Sequence, residues 1–105
     1  MTIQEVEQKI QTNEAILIYF SGENCGVCQA LKPKIQSSFE INFPKIEQYF
    51  INATQHPKIA AHFSIFTIPS VLVYFEGKEI KRESRHISVD QLTQNTKRSY
   101  ELFFN

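Results

Sequence analysis

From Thr2 to Thr12 the apolar residues Ile3, Val6 and Ile10 recur three and four positions apart among charged and amide neighbours. That spacing is the mark of a helix with one buried face. Thr2 followed three residues later by Glu5 has the form of a capping box, so the helix is expected to start there and run to about Thr12. Periodicity then gives way to an unbroken apolar run, Ala15 to Phe20. A short run of this kind predicts a strand covered on both faces. Ser21 to Asn24 reads as a loop. Beyond it Leu31, Ile35 and Phe39 form an apolar stripe while Gln29, Lys32, Lys34 and Gln36 face water, which predicts a second helix beginning at Cys25 and Cys28. Pro33 lies inside that helix and should kink it.

Asn42-Phe43-Pro44 closes this unit, and Ile46 to Ile51 is a second strand candidate. His56-Pro57 is expected to open a short helix reaching about Phe63, because proline is well tolerated at a first helical position. Thr67-Ile68-Pro69 leads into a third strand, Ser70 to Phe75, which Glu76-Gly77 turns into an antiparallel fourth, Lys78 to Ser84. Ser88 with Gln91 is a second capping-box pattern, opening a last helix whose Val89, Leu92, Leu102 and Phe103 are expected to dock on the sheet. The tail aromatics Tyr100, Phe103 and Phe104 are expected to pack in the core rather than mediate dimerisation. Alternating helices and strands followed by a hairpin predict an α/β protein, with a mixed sheet sandwiched between helices.

A chain of 105 residues, 42% hydrophobic with nine phenylalanines, is expected to form a single domain over residues 1–105 with one aromatic-rich core. Its eleven basic and eleven acidic side chains cancel. No broad electrostatic attraction to nucleic acid or to an anionic membrane surface is expected. Residues 1–7 are acidic and amphipathic rather than a signal peptide, and the run from Ala15 to Phe20 is too short to span a bilayer. A cytoplasmic location is the expectation.

Both cysteines sit in one C-x-x-C, Cys25-Gly26-Val27-Cys28, placed where a predicted strand ends and a predicted helix begins. Unpaired amides and the positive end of the helix dipole at that junction favour a thiolate at Cys25, the reactive form of the side chain. Cys28, one turn on, is expected on the inward side, protonated until it attacks second. A pair of inert buried thiols is the alternative reading of an isolated C-x-x-C. Zinc normally takes four ligands and there is no second cysteine pair. The spacing of His56, His62 and His86 suggests no metal site, and neither metal nor cofactor is expected. For Pro69, an ordinary trans proline at a strand entrance is the reading the residue alone supports.

With these residues in register the chain resembles the thioredoxin family along nearly its whole length. Cys25-Gly26-Val27-Cys28 stands at the family's redox motif, Pro33 at its helix-kinking proline, Ile68-Pro69 at its cis-proline loop and Gly77 in its hairpin turn. The resemblance implies a thioredoxin-like three-layer sandwich. It also implies that Thr67, Ile68 and Pro69 lie beside Cys25 and hold a substrate segment by strand-like hydrogen bonds. The activity it implies is thiol–disulfide exchange on protein disulfides, with a reductase as electron donor and the chain acting as a monomer. Several residues depart from the family pattern: Asn24 replaces a tryptophan, Val27 a proline, Tyr19 a buried acid, Phe50 a lysine, and Arg85-His86 a glycine. Glu23 is the nearest acidic alternative, expected in solvent. Without the buried acid the resolving step is expected to be slower, since such general-base help is worth about 10²-fold or more. Two other readings compete: a glutaredoxin-like activity suggested by Thr67 in the proline loop, and a non-enzymatic redox-sensing or binding module.

Overall fold

The computed structural model describes residues 1–104. Four helices and four strands alternate as α1 (Ile3–Thr12), β1 (Ala15–Ser21), α2 (Gly26–Asn42), β2 (Glu47–Asn52), α3 (Pro57–His62), β3 (Ser70–Phe75), β4 (Lys78–Ser84) and α4 (Val89–Phe104). The strands form one sheet in the order β2-β1-β3-β4. β1 runs parallel to β2 and antiparallel to β3, and β3 pairs antiparallel with β4. Both inner strands are flanked on each edge, and helices cover both of their faces, which is why β1 and β3 carry no polar alternation.

Successive side chains on a strand point to opposite faces, and the β1 run divides accordingly. Ile16, Ile18 and Phe20 pack with Val6 and Ile10 of α1 and with Ile59, Ala60 and Phe63 around α3. Ala15, Leu17 and Tyr19 pack with Ile35 and Phe39 of α2, Phe43 beyond it, and Leu92 of α4. The result is three layers, with α1 and α3 on one face and α2 and α4 on the other, the thioredoxin-like sandwich.

Local chemistry starts the helices. The Thr2 hydroxyl accepts the Glu5 N–H at 3.1 Å and the Ser88 hydroxyl accepts the Gln91 N–H at 3.2 Å, each satisfying an amide that would otherwise lack a partner. α2 continues through Pro33 to Asn42. His62 Nε2 lies 2.6 Å from Glu7 Oε1, joining α3 to α1 on the surface.

The last helix corrects one expectation. Leu102 does not dock on the sheet but stands 72% exposed. Leu92 and Thr96 are buried, and Tyr100 and Phe103 continue their stripe one and two turns on, while Leu102 falls to the side of that stripe. Tyr100, Phe103 and Phe104 pack against Phe43 and Phe75, and the Tyr100 hydroxyl accepts the Lys45 N–H at 3.2 Å.

The hairpin has two features the pattern did not carry. Glu76 and Gly77 both have positive φ, 51° and 77°. That is the two-residue turn whose twist matches the flanking strands, and a glutamate in its first position costs backbone strain that asparagine or glycine would avoid. A register shift between Val73 and Tyr74 also leaves Ile80 of β4 as an extra residue, a bulge invisible to a simple alternation.

Candidate functional site

The cysteines stand at the carboxyl end of central strand β1, where the chain turns into α2. Asn24 makes the turn with φ 56°, a left-handed conformation that asparagine tolerates better than most residues. Cys25 is the N-cap of α2, extended, and its Sγ accepts the Cys28 N–H at 3.2 Å. Cys25 and Cys28 are joined as a disulfide, with Cα atoms 5.3 Å apart. Cys25 is half-buried and Cys28 is 1% exposed. The Cys28 amide and the positive end of the α2 dipole both point at the Cys25 sulfur.

The loop before Cys25 is tied to the loop after β2. Ala53 N–H donates to the Ser21 carbonyl at 2.7 Å and Glu23 N–H to the Thr54 hydroxyl at 3.2 Å. Asn52 Oδ1 in turn accepts the Thr54 and Gln55 amides. Gly22 occupies the tightest point. A Cβ there would lie 2.5 Å from Ile68 Cδ1 and 2.6 Å from Thr54 Oγ1, so Ile68 rests directly on the backbone three residues before Cys25.

The Ile68–Pro69 peptide is cis. The loop is pinned on both sides, because Ser70 Oγ donates to the Thr67 carbonyl at 2.7 Å and Arg85 N–H to the Pro69 carbonyl at 2.9 Å. Arg85 adopts φ 64° to do so, a left-handed conformation that costs a residue other than glycine backbone strain. Between these anchors the Ile68 N–H and carbonyl carry no backbone hydrogen bond among the described residues. The structure thus brings Ile68 against the cysteine loop, with Thr67 and Pro69 fixing its position.

Gly22→Ala is expected to force Ile68 or Thr54 aside and to cost about 1–3 kcal/mol, the usual range for overpacking. A denaturant titration beside the wild type measures it. Equal stability would mean that Ile68 does not sit on Gly22.

Tyr19 lies beneath the cysteines at 0% exposure, and its hydroxyl donates to the Cys28 carbonyl at 2.9 Å. Burial pushes its phenol up to about 12, so it stays neutral at ordinary pH and supplies no base to Cys28. Phe50 meets its ring edge-on at 6.1 Å between centroids, and Lys32 Nζ lies 4.7 Å from the centre of the Phe50 ring. Behind Cys28 opens a polar cleft of about 490 Å3 lined by Glu23, Asn24, Gln29, Lys32 and Asn52. The Glu23 carboxylate at its rim accepts from Gln55 Nε2 at 3.4 Å.

Tyr74 is likewise pushed up to about 12, by burial first and by Glu79 second. Both phenols ionise near 10 when unfolded, so their contribution to stability is complete below pH 10 and is lost as pH rises towards 12. The melting temperature is therefore expected to fall between pH 10 and 12, and to fall less in Tyr19→Phe and Tyr74→Phe. Parallel curves for all three proteins would contradict the assignment.

Three site features escaped the sequence. The nearness of Ile68 to Gly22 had only the lone loop glycine as a signal. Lys32 read as one more water-facing residue of α2, whereas its ammonium lies over the Phe50 ring. Phe66, next to the proline loop and 80% exposed, had no signal at all in the pattern.

A parallel β1–α2–β2 unit, an antiparallel hairpin and a cysteine pair at the mouth of α2 define a redox-type α/β sandwich. The sequence model of the Thioredoxin family matches residues 1–98, and the chain belongs to that family. It is 34% identical over 102 residues to the thioredoxin-like protein YdfQ of Bacillus subtilis, across 97% of this chain and 90% of the relative. Thioredoxin 1 of Thermosipho africanus superposes with a TM-score of 0.77 at 29% identity, across 86% of this chain and 99% of the other. Oxidised thioredoxin of Plasmodium falciparum, 19% identical, has the same fold at a TM-score of 0.77, across 89% and 90% of the two chains. Family and cysteine pair together make the protein a thiol–disulfide oxidoreductase by class. Among the described residues no helix is long and apolar enough to cross a membrane.

Proposed function

We propose that the chain reduces or exchanges disulfides of other proteins, with Cys25 as nucleophile and Cys28 as resolving thiol. The observation that carries this reading is the position of Cys25 as N-cap of α2, its sulfur already accepting the Cys28 amide while Cys28 lies buried one turn deeper. The Cys25 thiolate attacks one sulfur of the substrate disulfide, forming a mixed disulfide, and the other substrate sulfur leaves with the bonding electrons and takes up a proton. Cys28 then loses its proton and attacks Cys25. The second substrate sulfur departs as a thiol, and the Cys25–Cys28 disulfide remains. An external dithiol, supplied by a reductase in a reducing compartment such as the cytoplasm, returns it to the reduced form.

Thr67, Ile68 and Pro69 form the holding side of this site. The unpaired Ile68 backbone suits an added strand of substrate. Next to it an apolar groove of about 330 Å3, lined among others by Ala53, Pro57, Ala61, Phe66 and Ile68, suits a hydrophobic side chain of the same segment. The test is to trap the intermediate. Cys28→Ser mixed with a disulfide-bonded protein such as insulin should accumulate a covalent adduct at Cys25, while the wild type turns over. Neither adduct nor turnover would leave a redox-sensing or binding module, the second reading, which the absence of any base on Tyr19 favours.

A further inference from the structure

Cys28 is 1% exposed, yet it forms part of the wall of the polar cleft behind the cysteine loop. Charged or titratable groups facing it come from three elements. β1 contributes Tyr19, which is neutral and spends its proton on the Cys28 carbonyl. The loop contributes the Glu23 carboxylate, and α2 contributes the Lys32 ammonium. From β2 come only uncharged groups, Phe50 and Asn52. Core and sheet therefore offer neither a base nor a counter-charge for this thiol.

Lys32 follows Cys28 by four residues, so the two side chains share one face of α2 about 5–6 Å apart at Cβ. Its ammonium lies over the Phe50 ring, with Nζ 4.7 Å from the centroid, at the exposed edge of the cleft. We propose that the cleft is the proton exit for Cys28 and that Lys32 is a positioning residue whose charge holds the Cys28 thiolate during resolution. Cys28 gives its proton to water entering the cleft. The sulfur electron pair forms the bond to Cys25 Sγ, the bond from Cys25 to the departing group breaks, and that group carries its electrons away and is protonated by solvent. Glu23 acts in the opposite sense, since a nearby carboxylate disfavours the thiolate.

This inference deepens the proposed function, but its test needs no protein substrate. Loading Cys25 with thionitrobenzoate creates a mixed disulfide that Cys28 resolves in one turnover, releasing a coloured thiolate whose rate against pH reads the ionisation of Cys28. Lys32→Met is expected to slow release about threefold at neutral pH and low salt, with the profile displaced to higher pH and the wild-type rate regained once the thiol is fully ionised. Lys32→Arg should keep the wild-type profile, and Glu23→Gln should move it to lower pH. Profiles unchanged in Lys32→Met, slowed equally at every pH, or not restored by arginine would overturn the assignment. Inactivity of the wild type towards protein disulfides would sink the proposed function without touching this result.

Discussion

Cys25→Ser is expected to bring reduction of a protein disulfide down to the uncatalysed background, a loss of ~10³-fold or more. A serine hydroxyl is scarcely ionised near neutral pH and cannot form the sulfur–sulfur bond of the intermediate, so no part of the two-step exchange survives. The fold should survive, because serine is among the best N-cap residues and its oxygen can accept the Cys28 amide that Cys25 Sγ now accepts at 3.2 Å. The appropriate reference is the reduced wild type, since the variant also lacks the disulfide. Melting within a few degrees of that reference, together with lost turnover in an insulin-reduction assay, assigns the effect to chemistry. Turnover that persisted would remove Cys25 from the reaction.

Phe39→Ala should be among the most damaging changes to stability, at about 3–5 kcal/mol. Phe39 has no exposed surface, meets the Phe43 ring at 4.9 Å between centroids, and shares a cluster with Ile35, Tyr19 and Leu92 between the sheet and the α2–α4 layer. Truncation removes a large apolar surface and leaves a cavity whose walls belong to separate elements and cannot all move inward. Against a total stability of about 5–15 kcal/mol, the variant would sit close to its unfolding threshold. The site would suffer with it, because the helix that Phe39 fastens is the one whose first turn carries both cysteines. Denaturant midpoints for the wild type and for Phe39→Leu bracket the effect, and a loss under about 1 kcal/mol would contradict the packing described for α2.

Departures from the family pattern change meaning once the contacts are known. Tyr19 in place of an acid does not leave a void below Cys28, because its hydroxyl is spent on the Cys28 carbonyl. Phe50 in place of a lysine is the ring under Lys32 of α2, and Lys32 lines the same cleft as the resolving thiol. Glu23, expected in solvent, is exposed but also borders the cleft that reaches Cys28.

Features that depend on neighbours within a turn or a strand were legible from the chain itself. Ile3, Val6 and Ile10 announced α1, Thr2 and Ser88 announced their caps, the run from Ala15 to Phe20 announced a strand covered on both faces, and the C-x-x-C was visibly at a strand-to-helix junction. Periodicity and capping are short-range physics, written in consecutive residues. Tertiary structure alone decided that Ile68 rests on Gly22, that the Tyr19 hydroxyl reaches Cys28, that Lys32 lies over Phe50, and that Leu102 faces outward while Phe103 packs. Each of these depends on how elements far apart in sequence are laid against one another, and the residues concerned would read the same along the chain whichever way those elements had packed.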